Sequence, residues 1–358
     1  MAAEPRVASA LAETLRIQHP ILLAGMAVVS SPPLAAAVSN AGGLGVLGAG
    51  FPEPSPKALR KLIAEVKERL VDKTAFGIDL LIPQVGGNAR KTNYDYTKGT
   101  LAEMIDIICE SGCRLFVCAI GVPPKWVVDK LHAAGIPAMQ MVGSPRHVLP
   151  ALDSGVDIVC AQGTEGGGHT GDVASMVLLP QVVNLCRGRK SSLTGGPVHV
   201  VAAGGMYSGR TLAAAMALGA EGVWVGTRFV ASEEATTTKL HKEMLLKARS
   251  DDTVRTVIFT GRPARVYKTP YVMDWESNRQ QEIKELTSKG VLPDAWEMKR
   301  KREAGQKVSF TEHYVGAFGQ ACGDISAVKP AAEIVREMVA EAAEALQGCG
   351  ARVRTSKL

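Results

Sequence analysis

The segment Gly163-Thr-Glu-Gly-Gly-Gly-His169-Thr-Gly171 sets a single imidazole in a run of glycines. An imidazole changes protonation near neutral pH and serves as acid or base. Gly167 and Gly168, which lack a Cβ, let the backbone come close to a planar cofactor. Glu165 and Asp172 flank His169 and are placed to tune it, and with no second histidine at ligand spacing a metal site is not expected. A second kind of chemistry is suggested by Ala203-Gly204-Gly205-Met206 and Gly226-Thr227-Arg228. Each follows an apolar run and leaves backbone N–H groups bare, and a helix starting near Ser208 would add its positive end, so the two loops read as a phosphate cup. Two matches to the dinucleotide fingerprint, Gly43-Leu-Gly45-Val-Leu-Gly48 and Gly166-Gly-Gly168-His-Thr-Gly171, do not support a nicotinamide site. The first lies within a strand and opens no helix, and the second lacks the acidic residue expected further on.

The elements that must position these residues alternate between short apolar runs and longer amphipathic stretches, the pattern of repeated βα units over a parallel sheet. Strands are expected at Pro20 to Ala24, Gly43 to Leu47, Thr74 to Leu80, Arg114 to Ala119, Ala138 to Met141, Asp157 to Ala161, His199 to Ala203 and Gly222 to Gly226. Helices are expected near 31–41, 56–71, 100–111, 124–134, 144–154, 174–187 and 208–218, several with a capping serine or first-turn proline. Eight such units favour an α/β fold of the (β/α)8 TIM-barrel type over an open sheet. In such a barrel the loops at the carboxyl ends of the strands build the site, and phosphate binds after the seventh and eighth. His169 then lies in the loop after the sixth strand. The expected organisation is a barrel over 1–231, a mostly helical lid over 232–318, a returning helix within 319–350 and a flexible tail at 351–358. A further insertion, from Pro83 to Tyr96, follows the third strand on the catalytic face.

Composition fits a compact globular protein: 46% of the 358 residues are hydrophobic and 21% charged. The net charge of +6 is spread out, and the run Lys299-Arg-Lys-Arg302 reads as a solvated helix face rather than a nucleic-acid or membrane contact. Seven irregularly spaced cysteines suit a reducing compartment. Neither a secretory signal nor an apolar run of the ~20 residues needed for a membrane span is expected. The final residues Ser356-Lys357-Leu358 read as an address for the peroxisomal import receptor in a eukaryotic source.

The ordered set Pro20-Ile-Leu-Leu-Ala-Gly-Met26, Ala41-Gly-Gly-Leu-Gly45, Phe76-Gly-Ile-Asp79, Ala161-Gln-Gly-Thr-Glu-Gly-Gly-Gly-His-Thr-Gly171, Val201-Ala-Ala-Gly-Gly205 and Gly219-Ala-Glu-Gly-Val-Trp-Val-Gly-Thr-Arg-Phe229 resembles the nitronate monooxygenases, formerly called 2-nitropropane dioxygenases. The resemblance runs from about 16 to 230, with a weaker echo in Gly319-Gln-Ala-Cys-Gly323. It implies FMN as cofactor, with Gly25 and Met26 against the isoalloxazine ring and Gln162 touching the flavin. It also implies Gly204, Gly205, Gly226 and Thr227 around the phosphate, and His169 at the catalytic position. The implied reaction is oxidation of an alkyl nitronate, or of a nitroalkane, by O2 to a carbonyl compound and nitrite. His169 would act as base or as a positively charged partner of the nitronate. An FMN-dependent NAD(P)H:quinone or enoyl-thioester reductase is the alternative on the same barrel. Asp79 departs from the family, where many members carry an amide. Beside the flavin it is expected to be protonated, paired with Arg90 or Lys91, or turned away.

Overall fold

The computed structural model describes residues 5–49, 55–309 and 311–353. Eight strands run parallel: Ile21–Leu23 (β1), Gly45–Gly48 (β2), Phe76–Leu80 (β3), Leu115–Cys118 (β4), Ala138–Val142 (β5), Ile158–Gln162 (β6), His199–Ala203 (β7) and Gly222–Val225 (β8). Their order in the sheet is β1, β8, β7, β6, β5, β4, β3, β2. A bridge between Leu22 and Leu44 joins the two ends, so the sheet closes into a barrel with helices outside.

Alternation along each strand explains why the runs read as continuously apolar. In β4, Leu115 and Val117 enter the barrel interior with Leu22, Val46, Met139 and Ile158. Phe116 and Cys118 face outward into the larger core shared with the helices. Both faces are covered, as a parallel sheet requires. The same period carries Asp79 of β3 and Gln162 of β6 to the inward face at the carboxyl ends of their strands.

The expected helices form, with one exception: the stretch near 144–154 divides into a 3-10 turn, Pro145–His147, and a short helix, Val148–Asp153. The returning helix, Ala331–Gly350, packs on helix Gly209–Ala217. At Gly209 a Cβ would lie 2.3 Å from the Met338 carbonyl oxygen, so the approach of the two helices requires glycine.

Residues 232–318 contain the expected helices, Lys239–Lys247, Pro270–Asn278, Gln280–Ser288 and Pro293–Glu303. They also contain a hairpin that sequence reading did not anticipate, formed by Thr253–Thr256 (β9) and Ala264–Tyr267 (β10). β10 pairs in turn with the two-residue strand Gly168–His169, Ala264 opposite His169 and Arg265 opposite Gly168. This region holds a small core of its own around the fully buried Trp275, with Ile258, Val266, Tyr271, Val272 and Ile283. Lys299 and Lys301 pair with carboxylates, Lys301 with Glu297 of its own helix and Glu312 beyond it, and Arg300 stacks on Trp296. The tripeptide Ser356-Lys357-Leu358 lies outside the described residues. No helix among the described residues is long and apolar enough to cross a membrane.

Candidate active site

The antiparallel pairing with β10 fixes the backbone of His169, and two side chains complete its setting. Gln162 Nε2 donates to the His169 carbonyl at 2.7 Å, and the ring Nε2 lies 2.9 Å from Thr260 Oγ1 in the turn of the hairpin. Thr260 Oγ1 is within reach of the Arg262 carbonyl at 3.3 Å and the Arg262 amide at 3.4 Å. With the hydroxyl hydrogen on the Arg262 carbonyl, Nε2–H donates to Thr260 and Nδ1 keeps the lone pair. Burial, and secondarily the Arg262 guanidinium, bring the imidazole pKa down to about 4. Burial thus favours a neutral His169 over the reading of it as a cationic partner.

The two acids expected to tune His169 are engaged elsewhere. Glu165 accepts from the Ser175 amide at 3.0 and 3.1 Å and from its hydroxyl at 2.9 Å, capping helix Ser175–Cys186. That placement satisfies N–H groups that the helix itself leaves open. Asp172 pairs with Arg255. What holds the loop instead is Arg265, a buried residue that sequence reading missed. Its Nε donates to the Thr164 carbonyl at 2.8 Å and another guanidinium nitrogen to Thr253 Oγ1 at 3.0 Å. An arginine in a strand carries no local sign that it will be buried and will anchor a distant loop.

On the opposite side of the barrel mouth Gly25 abuts Asp79: a Cβ on Gly25 would lie 2.4 Å from both Cβ and Oδ2 of the aspartate. Met26 is tied by its amide to Ser30 Oγ at 3.2 Å, and its Sδ would lie 3.5 Å from a Cβ on Gly226. Asp79 is 5% exposed, pairs with neither Arg90 nor Lys91, and its Oδ1 is buried with no hydrogen-bond partner. Burial pushes its carboxyl well above the ordinary value, and nothing nearby counters that. Of the alternatives open from sequence, the neutral carboxylic acid is the one this environment supports.

The glycines after β7 and β8 also converge. Gly204 (φ +82°) and Gly205 (φ +73°) occupy the left-handed region, and a Cβ on Gly204 would lie 2.6 Å from the Gly163 carbonyl oxygen. The loops after β6 and β7 thus touch backbone to backbone. Among the described residues no acceptor takes the amides of Gly205, Gly226 or Thr227, while Thr227 Oγ1 accepts from the Gly319 amide at 2.9 Å. The helix near Ser208 does not contribute as expected. Thr211 Oγ1 accepts from the Tyr207 and Ser208 amides, Glu341 accepts from the Gly209 amide and Ser208 Oγ accepts from the Thr211 amide. Its positive end is already used.

Between the loops after β4, β5 and β6 opens a cleft of about 400 Å³. Gln162, His169, Met141, Arg90, Arg146 and Arg262 are among its walls. Gly167 and Gly168 do not line this cleft. Gly167 instead packs on the backbone of Phe318 and Gly319, while Gly168 (φ +68°) faces open space. The arrangement offers a neutral nitrogen base, a buried neutral carboxyl, bare amides suited to a phosphate, and a basic cleft leading to the imidazole.

A family model described as nitronate monooxygenase matches residues 8–341. A Staphylococcus saprophyticus protein named "Probable nitronate monooxygenase" is 32% identical over 290 residues, covering 72% of this chain and 78% of its own. A Mycobacterium tuberculosis protein named "(3aS,4S,5R,7aS)-5-hydroxy-7a-methyl-1-oxo-octahydro-1H-indene-4-carboxyl-CoA dehydrogenase" is 29% identical and covers 97% of this chain and 99% of its own. Among solved structures, a nitroalkane oxidase from Streptomyces ansochromogenes superposes with a TM-score of 0.75 at 26% identity, over 95% of this chain and 100% of that one. These likenesses fit the barrel and a flavin oxidoreductase type of enzyme. The chain belongs to the nitronate monooxygenase family.

Proposed function

We propose that this protein oxidises alkyl nitronates with FMN and O2, releasing a carbonyl compound and nitrite. The residues fit the cofactor on two counts. The free amides of Gly205, Gly226 and Thr227, with Gly204 beside them, suit a phosphate monoester. The orphaned Oδ1 of a neutral Asp79 lies where a ring edge with hydrogen-bonding groups would give it a partner. Gly25, Met26 and Gln162 would border that ring. When bound, FMN supplies the redox chemistry that links the organic substrate to O2.

The observation that carries the reading is His169, buried and lining a basic cleft together with Arg262. A base whose conjugate acid has a pKa of about 4 is poorly matched to removing a proton from a neutral nitroalkane. It is well suited to standing uncharged beside a substrate that arrives already ionised. Arg262 supplies the positive charge for the nitronate oxygens, and a neutral His169 adds no second cation. A low imidazole pKa thus supports nitronates rather than nitroalkanes as substrates. Mixing the flavin-loaded protein anaerobically with a preformed alkyl nitronate tests this directly. Loss of the oxidised flavin absorbance supports the reading; bleaching by NADH with none by nitronate overturns it.

The second reading, an NAD(P)H-dependent reductase of quinones or enoyl thioesters, draws on the excess of arginine in the cleft and on the acyl-CoA named for one relative. In the same anaerobic test it requires bleaching by NADH or NADPH alone. For location, the tail Ser356-Lys357-Leu358 supports import into peroxisomes in a eukaryotic source. Fusing the last residues to a fluorescent protein tests it, and a diffuse cytosolic signal would count against it.

A further inference from the structure

At the amino-terminal end of the barrel, opposite the mouth where His169 stands, Asp157 immediately precedes β6 and is buried. Its Oδ2 accepts from the Ala138 amide at 2.8 Å and lies 2.9 Å from His132 Nε2, and its Oδ1 accepts from Ser191 Oγ at 2.6 Å. A carboxylate only accepts, so Nε2 of His132 carries the hydrogen and Nδ1 keeps its lone pair. That lone pair has a hydroxyl beside it, for Ser192 Oγ lies 3.4 Å from Nδ1.

The three residues come from separate elements: His132 from the last turn of helix Lys125–Ala133, Asp157 from the start of β6, and Ser192 from the loop between helix Ser175–Cys186 and β7. That loop is fixed at its base. Lys190 and Pro197 pair across it, the Ser191 amide donates to the Gly196 carbonyl at 2.9 Å, and the Thr194 amide donates to Ser191 Oγ at 3.0 Å. Ser192 is exposed and lines a pocket of about 370 Å³ with Arg189, Lys190, Asp153, Val156 and Val198. This pocket shares no lining residue with the cleft at His169. Among the described residues no acceptor takes the amides of Ser192 or Leu193, so two bare donors stand next to the hydroxyl. Two cations against one carboxylate give the lining one positive charge.

Hydroxyl, imidazole and buried carboxylate in sequence are recognised by their geometry and roles on any fold. From the Ser192–His132–Asp157 array we propose a second active centre, a serine esterase site for small carboxylic esters bearing one negative charge. Ser192 Oγ attacks the ester carbonyl carbon and its proton passes to His132 Nδ1. The charge that gathers on the carbonyl oxygen meets the Ser192 and Leu193 amides. The bond to the leaving oxygen breaks as the alcohol takes that proton, which leaves the acyl group on Ser192. Water, deprotonated by the same nitrogen, then releases the acid and restores the hydroxyl. Ester and water become acid and alcohol with no change of oxidation state. Asp157 touches no substrate and holds the imidazole in the required tautomer.

Two probes applied to the flavin-loaded full chain test the proposal. A fluorophosphonate should add once, and peptide mapping by mass spectrometry should place the adduct on Ser192. Hydrolysis of 4-nitrophenyl hemisuccinate should saturate, and Ser192→Ala should lower its kcat/KM about a hundredfold. Because Ser192 is exposed, that variant should fold, which circular dichroism checks. His132→Gln keeps a donor toward Asp157 but offers no base, and it should slow labelling by a similar factor. An adduct absent from Ser192 overturns the proposal, as does a folded Ser192→Ala variant that hydrolyses the ester within about twofold of the parent. Labelling of His132→Gln at the parent rate overturns it too.

Discussion

His169 Nε2 and Thr260 Oγ1 lie 2.9 Å apart across 91 residues of sequence, joining the barrel loop after β6 to the turn of the β9–β10 hairpin. The bond selects the ring tautomer and its orientation, so Thr260 acts through the histidine. Thr260→Val keeps the shape and removes the hydroxyl. It should lower kcat/KM for nitronate about tenfold with flavin content unchanged, and Thr260→Ser should recover most of the loss. Equal kinetics for the valine variant and the parent would remove the role.

Because His169 titrates at about pH 4, nitronate turnover should be flat from about pH 6 to about pH 8, with no inflection near the ordinary imidazole value of 6.5. The folded pKa lies below the unfolded one. The stability attached to the neutral ring is therefore present above pH 6.5 and lost as pH falls toward about 4. His241, also lowered to about 4 by burial, acts in the same direction. Urea unfolding at pH 7 and at pH 5 should show a smaller decline for His169→Asn than for the parent; an equal decline would place the neutral ring in doubt.

Asp79 gives the opposite sign. Its folded pKa is raised, so its contribution is complete below the unfolded value of 3.8 and is lost as pH rises through the folded one. Asp79→Asn carries no such loss and should raise Tm near neutral pH by roughly 3–6 °C, the gain vanishing toward pH 4. Flavin should stay bound, since the amide is also a neutral hydrogen-bonding group. Calorimetry at several pH values checks both, and a lower Tm at neutral pH with flavin lost would contradict the neutral carboxyl.

Gly204→Ala forces a Cβ onto the Gly163 carbonyl at a φ of +82°. It should cost roughly 1–3 kcal/mol and abolish copurification of flavin. Gly112→Ala is the control. Its φ of +67° is strained as well, but a Cβ there meets open space at the end of helix Leu101–Ser111. It should lose stability and keep the flavin. If both variants keep the flavin, the cup does not hold the phosphate.

The barrel was legible because its determinants are local: runs such as Val156 to Cys160 are buried on both faces and bounded by turns, so the eight strands emerged within a few residues of their observed ends. The inward positions of Asp79 and Gln162 follow from the same alternation. The hairpin was not legible. Its strands carry Arg255 and Arg265, which break the apolar pattern, and its third strand lies almost a hundred residues earlier. The partners of Glu165 and Asp172 were misjudged for the same reason. Proximity in sequence suggested His169, whereas the fold delivers Ser175 and Arg255 to them. The cleft's charge was equally hidden, since its four arginines are spread between positions 90 and 262.

The strand pairing of Gly168–His169 with β10 has a mechanical consequence. The hairpin cannot swing outward as a free flap: it must either break two residue pairs or carry the imidazole with it. Opening of the hairpin and aim of the imidazole are thereby welded into a single moving part. Replacing the segment after β8 would then re-aim the histidine as well as reshape the entrance.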